Sequence, residues 1–291
     1  MSEERHVLVT GAGGRIGSAV TEHLVGAGVR VTAMDRNFRT EPTAYRVVRG
    51  NTTAEADVAD ALEDVTEVVH LAALPHQSAG TPYEVYSTNV VSTFNVLAQA
   101  GQRAIRRAVI ASSIQATGLP GNHHDITPAY FPIDENIPVD LDDWYSLSKY
   151  SDEQTAGMAS RRWGISVIAL RFPLVTDFQT LRRRSDVLRE DPGSVRNEGW
   201  TYLDVRDAAR AVGLALQAPG DGARVVFLAA DTTLMPYPTE ELIAAFAPNS
   251  ARLRRFVGRE APIDLTRART LLGFKAEHEL DIETIPLPRN E

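Results

Sequence analysis

Tyr145 and Lys149 lie four residues apart, a spacing that places two side chains on one face of a helix. A phenol ordinarily titrates near pH ~10, and a neighbouring ammonium favours its charged form. We therefore expect Lys149 to bring the pKa of Tyr145 toward the range in which proton transfer at neutral pH is efficient. The pair predicts acid–base chemistry on a hydroxyl or carbonyl group. An exposed helix with an incidental tyrosine–lysine pair is the alternative interpretation.

A glycine-rich segment, Thr10–Gly17, follows the β-branched run His6–Thr10 and precedes a pattern typical of a helix. Gly11 permits a tight turn, Gly14 lets the backbone approach a pyrophosphate, and Gly17 allows close packing of the helix. The free N–H groups at the helix N-terminus favour phosphate binding. The segment thus predicts a dinucleotide site, the alternative being a simple connecting turn.

Asp35 lies 18 positions beyond Gly17, at the end of the second predicted strand. A carboxylate there accepts hydrogen bonds from the adenosine ribose hydroxyls and repels a 2′-phosphate. NAD is therefore favoured over NADP as the cofactor. Arg36 and Arg39 follow closely and offer charge to a 2′-phosphate, although solvated loop arginines are the preferred interpretation.

Further motifs appear in a family-like order: His70-Leu71-Ala72-Ala73, Asn89, Ser112-Ser113, Tyr202-Leu203-Asp204-Val205-Arg206-Asp207-Ala208-Ala209 and a late segment at 267–274. With the glycines and Tyr145-Ser146-Leu147-Ser148-Lys149, this order resembles the extended short-chain dehydrogenase/reductases. More narrowly, it resembles their NAD-dependent epimerase/dehydratase branch. The resemblance covers most of the chain.

The resemblance implies a catalytic group made of Ser113, Tyr145, Lys149 and Asn89. Lys149 would also hold the nicotinamide ribose, Ser113 would bond the substrate oxygen, and Asn89 would support a lysine-linked water relay. Ser112 is the adjacent candidate, ranked below Ser113. For Asn89, a hydrogen bond to a neighbouring backbone group is the alternative.

The cofactor set expected for NAD comprises Gly11, Gly14, Arg15, Ile16, Gly17, Asp35, Leu71, Ala72, Ala73, Asn89, Tyr145 and Lys149. The resemblance implies an NAD-dependent oxidoreductase of epimerase/dehydratase type, which moves hydride between NAD and a sugar or sugar-derived carbinol with Tyr145 as acid/base. A simple sugar or uronate dehydrogenase and a non-sugar ketoreductase are alternatives. A catalytically silent NAD-binding regulator is the alternative of another class, and the intact Ser113, Tyr145 and Lys149 argue against it.

The substrate region departs from sugar-nucleotide enzymes of this branch. Arg171-Phe172-Pro173-Leu174-Val175-Thr176-Asp177 stands where many of them carry an asparagine and a glycine for the diphosphate. Ile114-Gln115 follows Ser113 where a dehydratase would carry an acid pair. Arg182, Arg183 and Arg184 offer guanidinium groups to a carboxylate or phosphate, and Arg182 is the substrate-binding candidate, with a solvated helix face as the alternative.

The connection from Leu119 to Asp143 is long enough to help shape a pocket. It contains a polar group of residues: His123, His124, Asp125 and Tyr130. Two histidines without a convincing third ligand indicate a polar loop, so we predict no metal. We expect His70 and His76 to be structural or pocket-lining.

The order of predicted elements indicates an α/β fold, a Rossmann-type doubly wound parallel sheet with a small C-terminal substrate-binding lobe. The expected strands are His6–Thr10, Val29–Asp35, Arg46–Gly50, Val68–Ala72, Arg107–Ser112, Ser166–Arg171 and Val225–Ala229. Residues 1–175 form the expected NAD-binding domain and 176–291 the smaller lobe, with 200–232 returning to the main sheet. Thr52-Thr53-Ala54-Glu55 predicts a capping box. Gly28 predicts a helix C-cap and Asp204 a helix N-cap.

The formal charge of −8 argues against a nucleic-acid binder, and the absence of cysteine excludes thiolate chemistry and disulfides. No apolar run reaches the length of a membrane span, so we expect a cytoplasmic protein. The resemblance also implies a homodimer, paired through the helices that carry Asn89 and Tyr145. Val85, Val90 and Val96 are apolar candidates for that interface, or equally for packing on the protein's own sheet.

Overall fold

The computed structural model describes residues 5–124 and 126–288. The strands are β1 (His6–Thr10), β2 (Arg30–Asp35), β3 (Arg46–Arg49), β4 (Glu67–His70), β5 (Arg107–Ser113), β6 (Tyr130–Phe131), β7 (Ser166–Phe172), β8 (Leu174–Thr176), β9 (Tyr202–Asp204), β10 (Ala223–Phe227) and β11 (Ala251–Arg252). The helices are α1 (Arg15–Gly26), α2 (Glu55–Ala61), α3 (Pro82–Gln102), α4 (Trp144–Trp163), α5 (Phe178–Leu188), α6 (Val205–Gln217), α7 (Thr239–Phe246) and α8 (Thr266–Leu272).

Seven parallel strands form the main sheet in the order β10-β7-β5-β4-β1-β2-β3. One apolar cluster includes Val20 of α1 and Val212 of α6, and a second includes Leu97 of α3 and Ala156 of α4. Helices therefore cover both faces, which explains why the central strands are apolar on both sides. The predicted α/β Rossmann-type fold is confirmed.

The strand order reverses between β1 and β4, and parallel sheets bind ligands beyond the carboxyl ends of the strands at such a point. The glycine segment follows β1, and Leu71 follows β4. Both therefore reach the same crevice. β5 ends beside them at Ser113.

The chain beyond Thr176 contributes to both the main sheet and a smaller lobe. β10 pairs in parallel with β7 at the sheet edge, and α6 packs against α1. Two short parallel pairs, β8 with β9 and β6 with β11, build the lobe next to the crevice. The basic stretch Arg182–Arg184, for which no element was predicted, lies inside α5.

The structure confirms some of the helix-end signals predicted from the sequence and contradicts one of them. Gly28 has a left-handed φ of 78°, directly after the C-cap Ala27, and the Asp204 side chain accepts from the Arg206 N–H at the start of α6. The predicted capping box at Thr52–Glu55 is wrong, because the Thr52 hydroxyl instead donates to Ser92 Oγ at 2.9 Å. A reciprocal capping box occurs at the start of α3, between Thr81 and Glu84.

Within the described residues, no helix is both long and apolar enough to cross a membrane.

Candidate functional site

A cleft of about 1240 Å³ lies at the carboxyl ends of the main strands. The glycine segment lines one end, and Trp200 and Leu234 line the other. Ser113, Tyr145 and Lys149 line the same cleft. The fold thus brings the predicted phosphate turn and the predicted proton-transfer residues into one site.

Gly11 and Gly17 of the glycine segment have no room for a side chain. Gly11 has a φ of 69°, and a Cβ there would lie 2.7 Å from the Ala72 backbone nitrogen. A Cβ on Gly17 would lie 2.0 Å from the Gly11 carbonyl oxygen, so this glycine lets α1 pack on the turn itself. Gly14 caps α1 without a side-chain hydrogen bond. The first-turn N–H groups of α1 therefore stay available to an anion such as a pyrophosphate.

Asp35 closes the adenosine end of the cleft. Its carboxylate accepts hydrogen bonds from the backbone N–H groups of Gly13 at 2.9 Å and Asn37 at 3.2 Å. These contacts fix the carboxylate at the cleft wall, where a ribose would meet it. Arg36 and Arg39 also line this end and are exposed.

These residues fit a bound NAD molecule. The three parts that a dinucleotide needs are a tight turn whose glycines let the backbone approach, a helix N-terminus with free donors and a fixed carboxylate. Of the expected cofactor set, every member except Asn89 lines the cleft.

Tyr145 is placed by the start of α4. The Asp143 carboxylate accepts from the N–H groups of Tyr145 and Ser146 at 2.8 and 2.9 Å, which begins the helix at this point. The Ser113 side chain forms a hydrogen bond that favours the Tyr145 phenolate. Ser113 and Tyr145 are thus held together at the end of β5.

The pKa of Tyr145 is raised above its usual value because the phenol is buried, and Lys149 and Ser113 oppose this effect. The sequence-based expectation was a lowered pKa. Lys149 does act in the expected direction, but burial of the phenol outweighs it.

Lys149 is buried and donates to the Ala111 carbonyl at 2.9 Å and to Asp152 Oδ2 at 3.2 Å. An ammonium has three donors, so one remains for a ligand in the cleft. Burial lowers the pKa of Lys149, but Asp152 and Tyr145 outweigh it, so the pKa is raised above its usual value. Lys149 therefore carries a positive charge at neutral pH.

Asn89 is buried but does not line the cleft. Its Oδ1 accepts from the Leu74 N–H at 2.8 Å, and its Nδ2 donates to the Leu74 carbonyl at 3.1 Å and to Ser148 Oγ at 3.0 Å. These contacts match the structural interpretation. Asn89 holds the segment after β4 against α4, and its side chain is committed there.

Arg182, the predicted substrate-binding residue, does not line the cleft. Arg182 and Arg184 are both exposed on α5, but of the two only Arg184 lines the cleft. Side chains two positions apart on a helix point in directions about 200° apart, so these two arginines lie on opposite sides of α5. The structure therefore moves the candidate guanidinium from Arg182 to Arg184.

Glu198 is a cleft residue that sequence reasoning missed. Burial raises its pKa to about 6, and Arg184 lowers it in part. Among the described residues, no hydrogen bond or ion pair reaches its carboxylate. It lies in the irregular segment before Trp200, where neither periodicity nor a motif signals a function.

The histidines do not form a metal site in the described part of the chain. His123 and His124 are exposed, and His123 Nδ1 lies 3.0 Å from Asp142 Oδ2. Asp125 lies outside the described residues. His76 lines the cleft, as expected for a pocket residue, and His70 is buried between two threonines.

The chain is similar in sequence to proteins named as epimerases and reductases. The NAD dependent epimerase/dehydratase family model matches residues 7–176. A putative UDP-glucose 4-epimerase of Methanocaldococcus jannaschii is 31% identical over 174 residues, which cover 57% of this chain and 54% of that relative. Cinnamoyl-CoA reductase 1 of Petunia hybrida is 28% identical over 266 residues, covering 83% and 77% of the two chains.

The structure of MoeE5 in complex with UDP-glucuronic acid and NAD superposes with a TM-score of 0.70 and 25% identity, and the match covers 94% of both chains. The family match includes the glycine segment, the strands that end at the cleft and the pair Tyr145 and Lys149. The chain therefore belongs to the NAD-dependent epimerase/dehydratase family and is an enzyme that uses NAD.

Proposed function

We propose that this enzyme interconverts a sugar-derived alcohol and its carbonyl form, with Tyr145 as the acid/base. One observation supports this proposal: Ser113 and Lys149 both interact with Tyr145, and all three line the same cleft as the dinucleotide turn. NAD, when bound, supplies the hydride acceptor or donor. Tyr145 takes the proton from the substrate hydroxyl, Ser113 hydrogen-bonds the same oxygen, and the Lys149 ammonium stabilises the phenolate.

The charges at the substrate end favour a small polyhydroxylated substrate without a diphosphate. Arg184 offers one guanidinium, and Glu198 places a carboxylate close enough to affect it electrostatically. Above pH 6 that carboxylate opposes a diphosphate, whereas it accepts hydrogen bonds from sugar hydroxyls. The segment 171–177, which lacks the asparagine and glycine common in sugar-nucleotide enzymes, agrees with this choice.

A ketoreductase of non-sugar substrates is the second candidate. It is favoured by the similarity to cinnamoyl-CoA reductase 1, which extends over 83% of this chain and so includes the smaller lobe. The match to the putative epimerase covers a smaller share of the chain.

A substrate panel separates these candidates. Free sugars, uronic acids, nucleotide sugars and aromatic aldehydes or thioesters are each incubated with NAD or NADH, and cofactor absorbance and sugar isomerisation are followed. We expect turnover of a free sugar or sugar acid. Turnover confined to nucleotide sugars, or to non-sugar carbonyls, would contradict the proposed substrate class.

The two arginines of α5 supply a matched pair for the substrate end. Arg184→Gln should raise KM for the active substrate by roughly tenfold, since one guanidinium contact is lost. Arg182→Gln removes the same charge from a position that does not line the cleft and should leave KM unchanged. Equal effects of both variants would show that Arg184 acts only through net charge.

We further propose that the protein is a homodimer. Val85 and Val96 are fully buried against the protein's own core, so they do not form the interface considered from the sequence. Tyr83 and Phe94 on α3 are 81% and 51% exposed, and their spacing places them on one face of the helix. Large exposed apolar side chains on one helix face are typical of an interaction surface.

A further inference from the structure

Asp152 lies one helical turn beyond Lys149, and the pair is sequestered from solvent. Its Oδ2 accepts from Lys149 Nζ at 3.2 Å, with 5% of the lysine and 2% of the aspartate side chain exposed. We propose that Asp152 is a positioning residue for the reaction, which keeps Lys149 in its ammonium form and fixes its Nζ next to Tyr145. The inference rests on the proposed function, because it assumes that Lys149 serves Tyr145.

A buried chain of polar groups leads to Asp152 from the cofactor side. The Thr10 hydroxyl oxygen accepts from the backbone N–H groups of Leu71 and Ala72 at 3.2 and 3.3 Å, and it lies 2.7 Å from His70 Nδ1. Because both accepted protons come from the backbone, the Thr10 hydroxyl donates its own proton to Nδ1. The N–H of His70 is then on Nε2.

His70 connects this polar chain to α3 through a second hydrogen bond. Its Nε2 lies 3.2 Å from Thr93 Oγ1 and donates to it, and the Thr93 side chain interacts with the Asp152 carboxyl and lowers its pKa. Burial together with the Lys149 charge depresses the pKa of His70 to about 3, so the ring stays neutral in this tautomer. Every donor in the chain therefore points toward the Asp152 carboxylate. Burial raises the pKa of Asp152, and the Lys149 charge and the interactions with Thr93 and Lys149 oppose that rise.

The charges around Lys149 leave Asp152 as its counter-ion. Glu153 on the same helix accepts two hydrogen bonds from Arg171 of β7, at 2.8 and 2.9 Å, and its charge raises the pKa of Lys149 less than the charge of Asp152 does. His70 of β4 is neutral, and Tyr145 is a phenol in the resting protein. Without Asp152, the largest effect that opposes burial of the Lys149 ammonium would be lost, which favours the uncharged amine.

This arrangement gives a different support for Lys149 from the one that the resemblance implies. The Asn89 side chain is committed to Leu74 and Ser148. The hydrogen-bonded groups next to Lys149 instead run through Asp152 and Thr93 to the turn after β4, the same turn that lines the cofactor end of the cleft.

The sequence makes a direct test possible, because Lys149 and Lys275 are the only lysines of the chain. Protein labelled with ¹³C at lysine Cε should give two resonances, and Lys275→Arg assigns the one from Lys149. In the wild type we expect Lys149 to remain charged beyond the ordinary lysine pKa of about 10.4. In Asp152→Asn its titration midpoint should fall by more than about one pH unit. An unchanged midpoint would overturn the inference.

Thr93 supplies a second variant should Asp152→Asn fail to fold. Thr93→Val removes the hydroxyl that interacts with Asp152 at nearly constant volume and should shift the Lys149 midpoint downward by a smaller amount. Thr93→Ser keeps the hydroxyl and should restore it. Equal midpoints in the two Thr93 variants would also contradict the role given to the polar chain.

The titration needs no substrate, so it separates this inference from the proposed function. Suppose that Tyr145→Phe abolishes activity but Asp152→Asn leaves the Lys149 midpoint unchanged. That combination would overturn this inference and leave the proposed function standing. Activity provides the second readout: with an active substrate, turnover of Asp152→Asn should decline at high pH where wild-type turnover does not. A turnover loss that is equal at every pH would indicate a merely structural role.

Discussion

Ser112 Oγ donates a 2.6 Å hydrogen bond to Glu153 Oε1, and this contact separates the roles of two adjacent serines. The Glu153 carboxylate that accepts from Ser112 also forms a buried ion pair with Arg171. Ser113, one residue on, faces the cleft, where it interacts with Tyr145. Neighbouring residues of a strand point to opposite sides, which explains the division.

Alanine variants of the two serines should therefore differ. Ser113→Ala should lower kcat, on the order of 10²-fold, at wild-type stability, since it removes a contact to the reacting oxygen. Ser112→Ala should lower the free energy of unfolding by about 1–3 kcal/mol, because a buried charged acceptor loses a donor. Thermal or urea unfolding and steady-state kinetics check both. The reverse pattern would assign the catalytic contact to Ser112.

NAD should bind more tightly than NADP, because the Asp35 carboxylate is fixed at the adenosine end by Gly13 and Asn37. Asp35→Asn removes the charge at constant shape. It should reduce the ratio of NAD to NADP affinity at least tenfold, which corresponds to about 1.4 kcal/mol. Titration calorimetry with both cofactors measures it. Tighter NADP binding by the wild type would instead implicate Arg36 or Arg39 in phosphate recognition.

His70 should make the fold sensitive to mild acid. Its folded pKa of about 3 lies below its ordinary value of 6.5, so the unfolded chain takes up the proton first. The stabilisation is complete above pH 6.5 and is lost as the pH falls toward 3. Relative to His70→Asn, the wild type should lose about 1.4 kcal/mol per pH unit in this range. Urea unfolding at pH 7.5, 6 and 5 tests this, and parallel stability curves would contradict it.

Phe94→Glu should convert the proposed dimer to a monomer, because a charge in an apolar interface lacks a partner. Val257→Glu is the control, since Val257 is 83% exposed and lies away from α3. Sedimentation velocity at micromolar concentration measures the mass. A wild-type monomer, or dimers of both variants, would refute this interface.

The sheet was readily predictable because its strands are short β-branched runs buried on both faces. β1 has the bounds predicted for it, and the other predicted strands differ by one or two residues at one or both ends. Local capping was less predictable, since Thr52 had two possible partners. Its choice of Ser92 on α3 is a tertiary contact that the local pattern does not contain.

The candidate site was predictable where a motif fixes the backbone or the helix spacing, as for Gly11, Tyr145 and Lys149. It was not predictable where a role depends on which side of an element faces the cleft. Arg182 and Arg184 have the same chemistry, and only packing of α5 distinguishes them. Asp152 carried a weak signal, its three-residue spacing from Lys149, but its burial arises from the contact of α4 with α3.

Tyr145→Phe tests the central claim most directly. The variant keeps the ring and its packing and deletes only the hydroxyl that carries the proton. With an active substrate from the panel, turnover should fall on the order of 10²–10⁴-fold, while NAD affinity stays nearly unchanged. Tyr150→Phe, a tyrosine of the same helix outside the cleft lining, is the control and should retain wild-type turnover. Turnover of Tyr145→Phe at the wild-type rate would contradict the proposed mechanism.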